Sequence, residues 1–149
     1  MRLAVLASML VLAGCESGSL PPVTLDERGD TCAFCRMAVS AAGVAAELVA
    51  PGEDPRFFDD IGCLASFLKE HPEQPAGAIA YVVDHRTRAW VRAAGALYAR
   101  VPDLDTPMGS HLVAHGDERS RQDDAATARG SAATNADVFG TRTPPGGTP

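Results

Sequence analysis

Behind the paired carboxylates Asp59 and Asp60, apolar residues recur at helical spacing (Ile61, Leu64, Phe67 and Leu68) until His71-Pro72 interrupts them. Either aspartate can cap a helix, so the pattern predicts one running to about Glu70. The runs on either side have a different rhythm. Ile79 to Asp84 (IAYVVD) is a short, almost continuous apolar run and the clearest strand in the chain. Ala89–Arg92 and Ala96–Val101, which flank Gly95, and His111–His115 are weaker strand candidates. Upstream, Met37–Ala50 holds two short apolar runs parted at Gly43, which predicts a hairpin. Pro51–Pro55 reads as a turn and Arg56–Phe58 as a short extended piece.

Strand, strand, helix, strand is thus followed by further strands, and the second half repeats the first loosely. Glu118–Gly130 can be helical, but its only apolar residues are alanines, which leaves that helix little to bury. Ala136–Phe139 reads as a last strand. The order predicts an α+β fold. Ser17–Asp30 carries a Pro-Pro pair without periodicity and reads as a flexible tether, and residues 140–149 (GTRTPPGGTP) read as a disordered tail.

The first residues have a third pattern. Arg2 precedes an apolar stretch from Leu3 to Leu12, too short to span a bilayer as a mature helix, and the stretch closes on Leu12-Ala13-Gly14-Cys15. Residues 1–14 read as a lipoprotein signal peptide and Cys15 as the lipidated residue that anchors the mature chain to a bacterial membrane on its periplasmic side. Glu16 rather than Asp follows the cysteine and so permits sorting to an outer membrane.

Length and composition narrow the picture further. A chain of 149 residues has room for one compact unit or two very small ones sharing a core, and 46% hydrophobic with 21% charged residues is a globular balance. A net charge of −6 leaves no basic patch to neutralise phosphates, which argues against nucleic acid as a partner.

Beyond Cys15, the chemistry-bearing residues begin at Cys32-Ala33-Phe34-Cys35-Arg36-Met37, with Cys63 on the predicted helix. Two thiols and a thioether within six residues form a soft-donor cluster, and soft sulfur ligands select Cu(I) over hard ions. Met108 lies in the turn Thr106-Pro107-Met108-Gly109, with His111 and His115 close behind and sharing a face if they lie on one strand. Each part has a structural alternative. Cys32 and Cys35 can form a disulfide, Cys63 can be a buried free thiol, Met37 a core filler, and the two histidines surface residues. A thioredoxin-like redox motif would follow a strand and open a helix, whereas this CxxC follows a polar tether and leads into strands. A four-cysteine zinc site lacks its fourth ligand, since Cys15 is acylated.

Taken together, the segments resemble the accessory lipoproteins of nitrous oxide reductase, the NosL-type copper chaperones. The resemblance rests on Cys32-x-x-Cys35-x-Met37, Phe58-Asp59-Asp60-Ile61-Gly62-Cys63-Leu64, Tyr81-Val82-Val83-Asp84, Trp90, Ala94, Ala96 with Tyr98, and Thr106-Pro107-Met108-Gly109-Ser110, in that order. It implies two small ββαβ-type units packed together, the second degenerate, within residues 31–139 (units of about 31–86 and 87–139). It implies a Cu(I) carrier rather than an enzyme, with Cys35, Met37 and Met108 as ligands and Cys32 and Cys63 as further candidates; His111 and His115 could add to them. The implied partners are maturing nitrous oxide reductase, or another exported copper enzyme, and a membrane ABC-type assembly complex. The sequence departs from the family where Arg36 replaces the usual Gly, and where His111 and His115 fall in a segment that is usually small and aromatic. The runner-up reading is a thiol–disulfide redox lipoprotein using Cys32 and Cys35. Two others are a structural lipoprotein with a cysteine staple and a lyase suggested by fold analogy alone.

Overall fold

The computed structural model describes residues 20–147, so the segment read as a signal peptide and Cys15 lie outside the described part. Two antiparallel sheets and a few helices make an α+β fold. The first sheet has the order β2-β1-β3-β4, built from β1 (Ala46–Val49), β2 (Arg56–Phe58), β3 (Ile79–Val83) and β4 (Trp90–Arg92). The second has the order β6-β5-β7, from β5 (Leu97–Arg100), β6 (Leu112–His115) and β7 (Ser131–Ala133). With α1 (Ile61–Glu70) and α2 (Glu118–Gln122), both halves run strand, strand, helix, strand, and in both the first strand lies between the other two.

The first half forms because its pattern is strong. The run of β3 is buried at every position, and β1 pairs with it from Ala46↔Val82 to Val49↔Ile79. Helix α1 starts where the Asp60 carboxylate accepts the Gly62 amide at 2.6 Å, a side-chain N-cap. It lays Ile61, Cys63, Leu64 and Leu68 into the core, and ends as His71 N–H bonds the Phe67 carbonyl ahead of Pro72. Phe58, wholly buried, meets the Phe67 ring with centroids 5.3 Å apart.

The second half is built from smaller pieces. Helix α2 has five residues, capped by Asp117, and a 3-10 turn over Ala125–Arg129 takes up the rest of the stretch read as helical. The sheets join where Asp84 and Ala114 form a parallel bridge and His85 N–H donates to the Ala114 carbonyl at 2.8 Å. Asp84 holds this seam. One carboxylate oxygen accepts the Gly116 amide at 2.7 Å, and the other accepts the Thr87 amide and the Ser120 hydroxyl, each at 2.8 Å.

Four local expectations change. The hairpin about Gly43 does not form: Ala42–Val44 is a 3-10 turn, and β1 pairs instead with β2 and β3. A side chain at Gly43 would run into the Arg88 guanidinium, so the glycine serves close packing here rather than a chain reversal. Ala136–Phe139 is not a strand but part of α3 (Asn135–Phe139), because Thr134 and Asp137 form a reciprocal capping box. Phe139 then packs edge-on against Tyr98, and β7 takes the place of the last strand. Residues 20–30 do not trail free: Tyr81 donates its hydroxyl to the Leu20 carbonyl, and Val23 N–H donates to both Glu47 carboxylate oxygens at 3.0 and 3.1 Å. Residues 140–147 likewise lie along the first sheet, with Ala80 N–H donating to the Pro145 carbonyl at 2.9 Å and Gly146 against Ile79. Segments without a pattern of their own can thus be held by side chains of a sheet, as Tyr81 and Glu47 hold residues 20–23, or by a backbone donor left open in it, as Ala80 holds Pro145, which periodicity alone does not reveal. Among the described residues no helix is long and apolar enough to cross a membrane.

Candidate metal centre

The CxxC loop folds back on itself. Thr31 bridges Ala38, Cys32 N–H donates to the Met37 carbonyl at 2.8 Å, and Arg36 N–H donates to the Cys32 carbonyl at 3.0 Å. The closure requires a left-handed backbone at Arg36, whose φ is +68°. That conformation costs an ordinary residue about 1–2 kcal/mol and costs glycine nothing. Arg36 is the position where the resembling family usually carries Gly, so the departure keeps the turn and strains it. Ala33 N–H donates to the Phe57 carbonyl and ties the loop to β2.

This loop meets the first turn of α1. Cys32, Cys35, Cys63 and Asp59 bring their sulfur and carboxylate oxygen atoms within 4.8 Å of one another. Cys32, Cys63 and Asp59 are buried, and Cys35 is half-buried at the margin of the cluster. Cys35 donates its thiol proton to Asp59 Oδ2 at 3.3 Å, and its backbone N–H approaches Cys32 Sγ at 3.5 Å. The other Asp59 oxygen is buried without a hydrogen-bond partner. The three described cysteines are free thiols, with no disulfide between Cys32 and Cys35.

Burial sets the acidity of these thiols. It pushes Cys35 up to about 11, an effect offset in part by the Met37 backbone amide and reinforced by Cys32 and Asp59. Burial also pushes Cys63 up, with the neighbouring Asp59 and Cys32 adding to it. Both thiols therefore keep their protons at neutral pH until an ion displaces them. An exchange catalyst needs the opposite, a CxxC thiol whose acidity is raised by a helix N-terminus. A compact set of thiols with one carboxylate and little water suits a soft monovalent or borderline ion held by sulfur.

The two thioethers lie outside this buried set. Met37 is 45% exposed and Met108 47% exposed. Met108 is nonetheless fixed in place: its backbone N–H donates to Asp60 Oδ2 at 3.0 Å, while Asp60 Oδ1 caps α1. One aspartate therefore ties the Met108 turn to the start of the helix that carries Cys63. Gly62 allows the close approach, since a Cβ there would come within 2.8 Å of the Ser110 Cβ.

The two histidines flagged in the sequence are not brought together. His111 precedes β6 with φ +56°, and its ring Nδ1 donates to the Leu104 carbonyl at 2.8 Å, so it closes the turn after Met108. His115 is fully buried at the end of β6, beside His85 and Asp124. Sequence reading missed Asp59, His85 and Asp124 as cluster members. The only signal for Asp59 was its position next to a second aspartate: a helix start needs one cap, which leaves the other carboxylate free for a different task.

No curated protein matches the chain. A family model does, over residues 22–141, a span that takes in both sheets, all three clustered cysteines and the Met108 turn; the chain belongs to the NosL family of copper-binding accessory proteins.

Proposed function

We propose that this chain is an exported, lipid-anchored Cu(I) carrier that supplies copper to maturing nitrous oxide reductase or another exported copper enzyme. The observation that carries this reading is the convergence of Cys32, Cys35, Cys63 and Asp59 within 4.8 Å, next to loops that expose Met37 and Met108. Cys35 is the accessible thiol, Met37 and Met108 the outer ligands, and Cys32 and Cys63 the inner ones. Thiolate supplies affinity, and the weaker thioethers let the ion leave by stepwise ligand exchange to a partner's donors. Asp59 Oδ2, already bonded to the Cys35 thiol, can take up the proton that copper displaces and pass it on to solvent, so that the net release is one proton per thiol. Nothing in this cycle makes or breaks a bond of a substrate molecule, so the protein works as a carrier and not as an enzyme. A lipid on Cys15 would confine the carrier to the membrane surface and raise its effective concentration near an ABC-type assembly complex there. Glu16 leaves the outer membrane open as its destination.

Anaerobic Cu(I) titration of the mature chain against a competing chelator tests this, with Cys35→Ser and Met37→Leu run alongside. The expected result is one tight equivalent that both substitutions weaken, Cys35→Ser more. Failure of the fully reduced protein to hold copper against the chelator would overturn the carrier reading in favour of a thiol–disulfide lipoprotein.

A further inference from the structure

A second cluster of metal-ligating side chains lies away from the thiols, at the seam between the sheets. We infer that His85, His115 and Asp124 form a second metal site, for a borderline divalent transition ion of the Zn(II) or Cu(II) class. Their ligand atoms lie within 4.8 Å of one another. A single carboxylate oxygen, Asp124 Oδ2, faces both imidazoles, at 2.7 Å from His85 Nδ1 and 2.8 Å from His115 Nε2.

The backbone under the cluster is fixed on every side. His85 follows β3, and its N–H bonds the Ala114 carbonyl one residue before His115. Asp124 caps the 3-10 turn over Ala125–Arg129 through its other oxygen, which accepts the Ala126 amide at 2.9 Å. His115 is wholly buried, yet its Nδ1 has no hydrogen-bond partner, so an expensive polar ring occupies the interior only partly satisfied. His85 keeps 16% of its side chain exposed and lines a cleft of about 400 Å³ with Leu104 and Asp105, which supplies a path for an ion.

The donor chemistry selects the ion. Two imidazoles and a carboxylate are ligands of intermediate hardness that suit Zn(II) and Cu(II), whereas Cu(I) is drawn to the sulfur cluster. Zinc sits about 2.0–2.2 Å from such ligands, so tetrahedral binding needs donors roughly 3.3 Å apart. Both contacts must widen by about half an ångström to reach that spacing: His85, the member not packed in, swings outward, and the Asp124 carboxylate turns away from His115. The ion takes the place of the two hydrogen bonds at Asp124 Oδ2, and each neutral ring carries its proton on the nitrogen turned away from the ion, His85 on Nε2 and His115 on Nδ1. It also links residues of the first half to residues of the second.

Zn(II) titration of the mature chain past two equivalents, followed by side-chain nitrogen NMR of the histidines, tests the site separately from the thiols, which can take a zinc ion of their own. One equivalent is expected to shift the ring nitrogens of His85 and His115 and to leave those of His71 and His111 in place. His85→Gln, at the partly exposed ligand, should weaken that binding at least tenfold while leaving the thermal midpoint of the metal-free protein close to its original value. Asp124→Asn should weaken it similarly. Zinc that binds without moving the His85 and His115 rings, or with affinity unchanged in His85→Gln, would overturn the assignment.

Discussion

Around the first sheet, Phe57, Phe58, Ile61, Leu64, Leu68 and Val82 close over one another, and the thiols of Cys32 and Cys63 belong to that same core. The second sheet lends Tyr98, Leu112 and Ala114 to that core, and its other face has a small apolar cluster of Ala99, Val101 and Val113 with Val44, while Asp84, His115, Ser120 and Asp124 are also buried. The first half is therefore held by apolar area. The second shares that core through Tyr98, Leu112, Ala114 and Phe139, and adds carboxylates that collect backbone amides, hydroxyls and imidazoles. Two buried acids make the contrast quantitative. Burial raises both, but Glu47 receives, among the described residues, only the Val23 amide, with the Asp30 charge pushing it further up, and settles at about 7. Asp84 receives the amides of Gly116 and Thr87 and the Ser120 hydroxyl, which outweigh its burial and hold it at about 2. Donor supply rather than depth decides which acid stays charged.

Breaking the apolar half should have the largest effect. Phe58→Ala removes a fully buried ring that packs on Phe67 and should cost about 3–5 kcal/mol in urea unfolding, loosening the thiol cluster with it. Asp84→Asn attacks the other kind of cohesion. It should cost about 2–3 kcal/mol and speed amide exchange in β5 and β6 more than in β1 and β3. The pH dependence has a definite sign. Because the folded-state value of Asp84 lies below the ordinary 3.8, its contribution is complete above about pH 4 and is lost as pH falls through about 2. An acid titration of wild type against Asp84→Asn should show the two curves converging over that window.

Copper binding sharpens the contrast from the side of the protonated thiols. With Cys35 raised to about 11, each thiol that binds Cu(I) must release a proton at neutral pH. Affinity should rise about tenfold, or about 1.4 kcal/mol, per pH unit for each thiol engaged, and Cys35→Ser should lower that slope by one proton. Chelator competition at several pH values measures it. The smallest effect concerns the strained turn before Met37. Arg36→Gly relieves a left-handed backbone but adds freedom to the unfolded chain, so a net gain of roughly 0.5–1 kcal/mol is expected from thermal melts.

Local pattern made much of the first half legible. The helix at Ile61–Glu70, its aspartate cap and the strand at Ile79–Val83 follow from periodicity and end signals, because each of those signals acts within a few residues. The α3 helix was legible too, in Thr134-x-x-Asp137, but the short apolar pair Val138-Phe139 reads as the end of a strand and hides it. Pairing was less accessible. Whether β1 turns back at Gly43 or joins β2 and β3 depends on Arg88, forty-five residues away, packing against that glycine.

The sequence by itself determined the residue types and local spacings: soft donors at Cys32, Cys35, Met37, Cys63 and Met108, the capped helix, and a loose repeat of strands and helix. Only the tertiary structure decided which donors share a volume. It set Asp59 among the thiols, held Met108 to the same helix start through Asp60, and separated His111 from His115. It also joined His85 and His115 to Asp124 across the seam. The reason is physical. Capping and periodicity are short-range, whereas a cluster of buried polar side chains is assembled by sheet register and long-range packing, which no window along the chain contains.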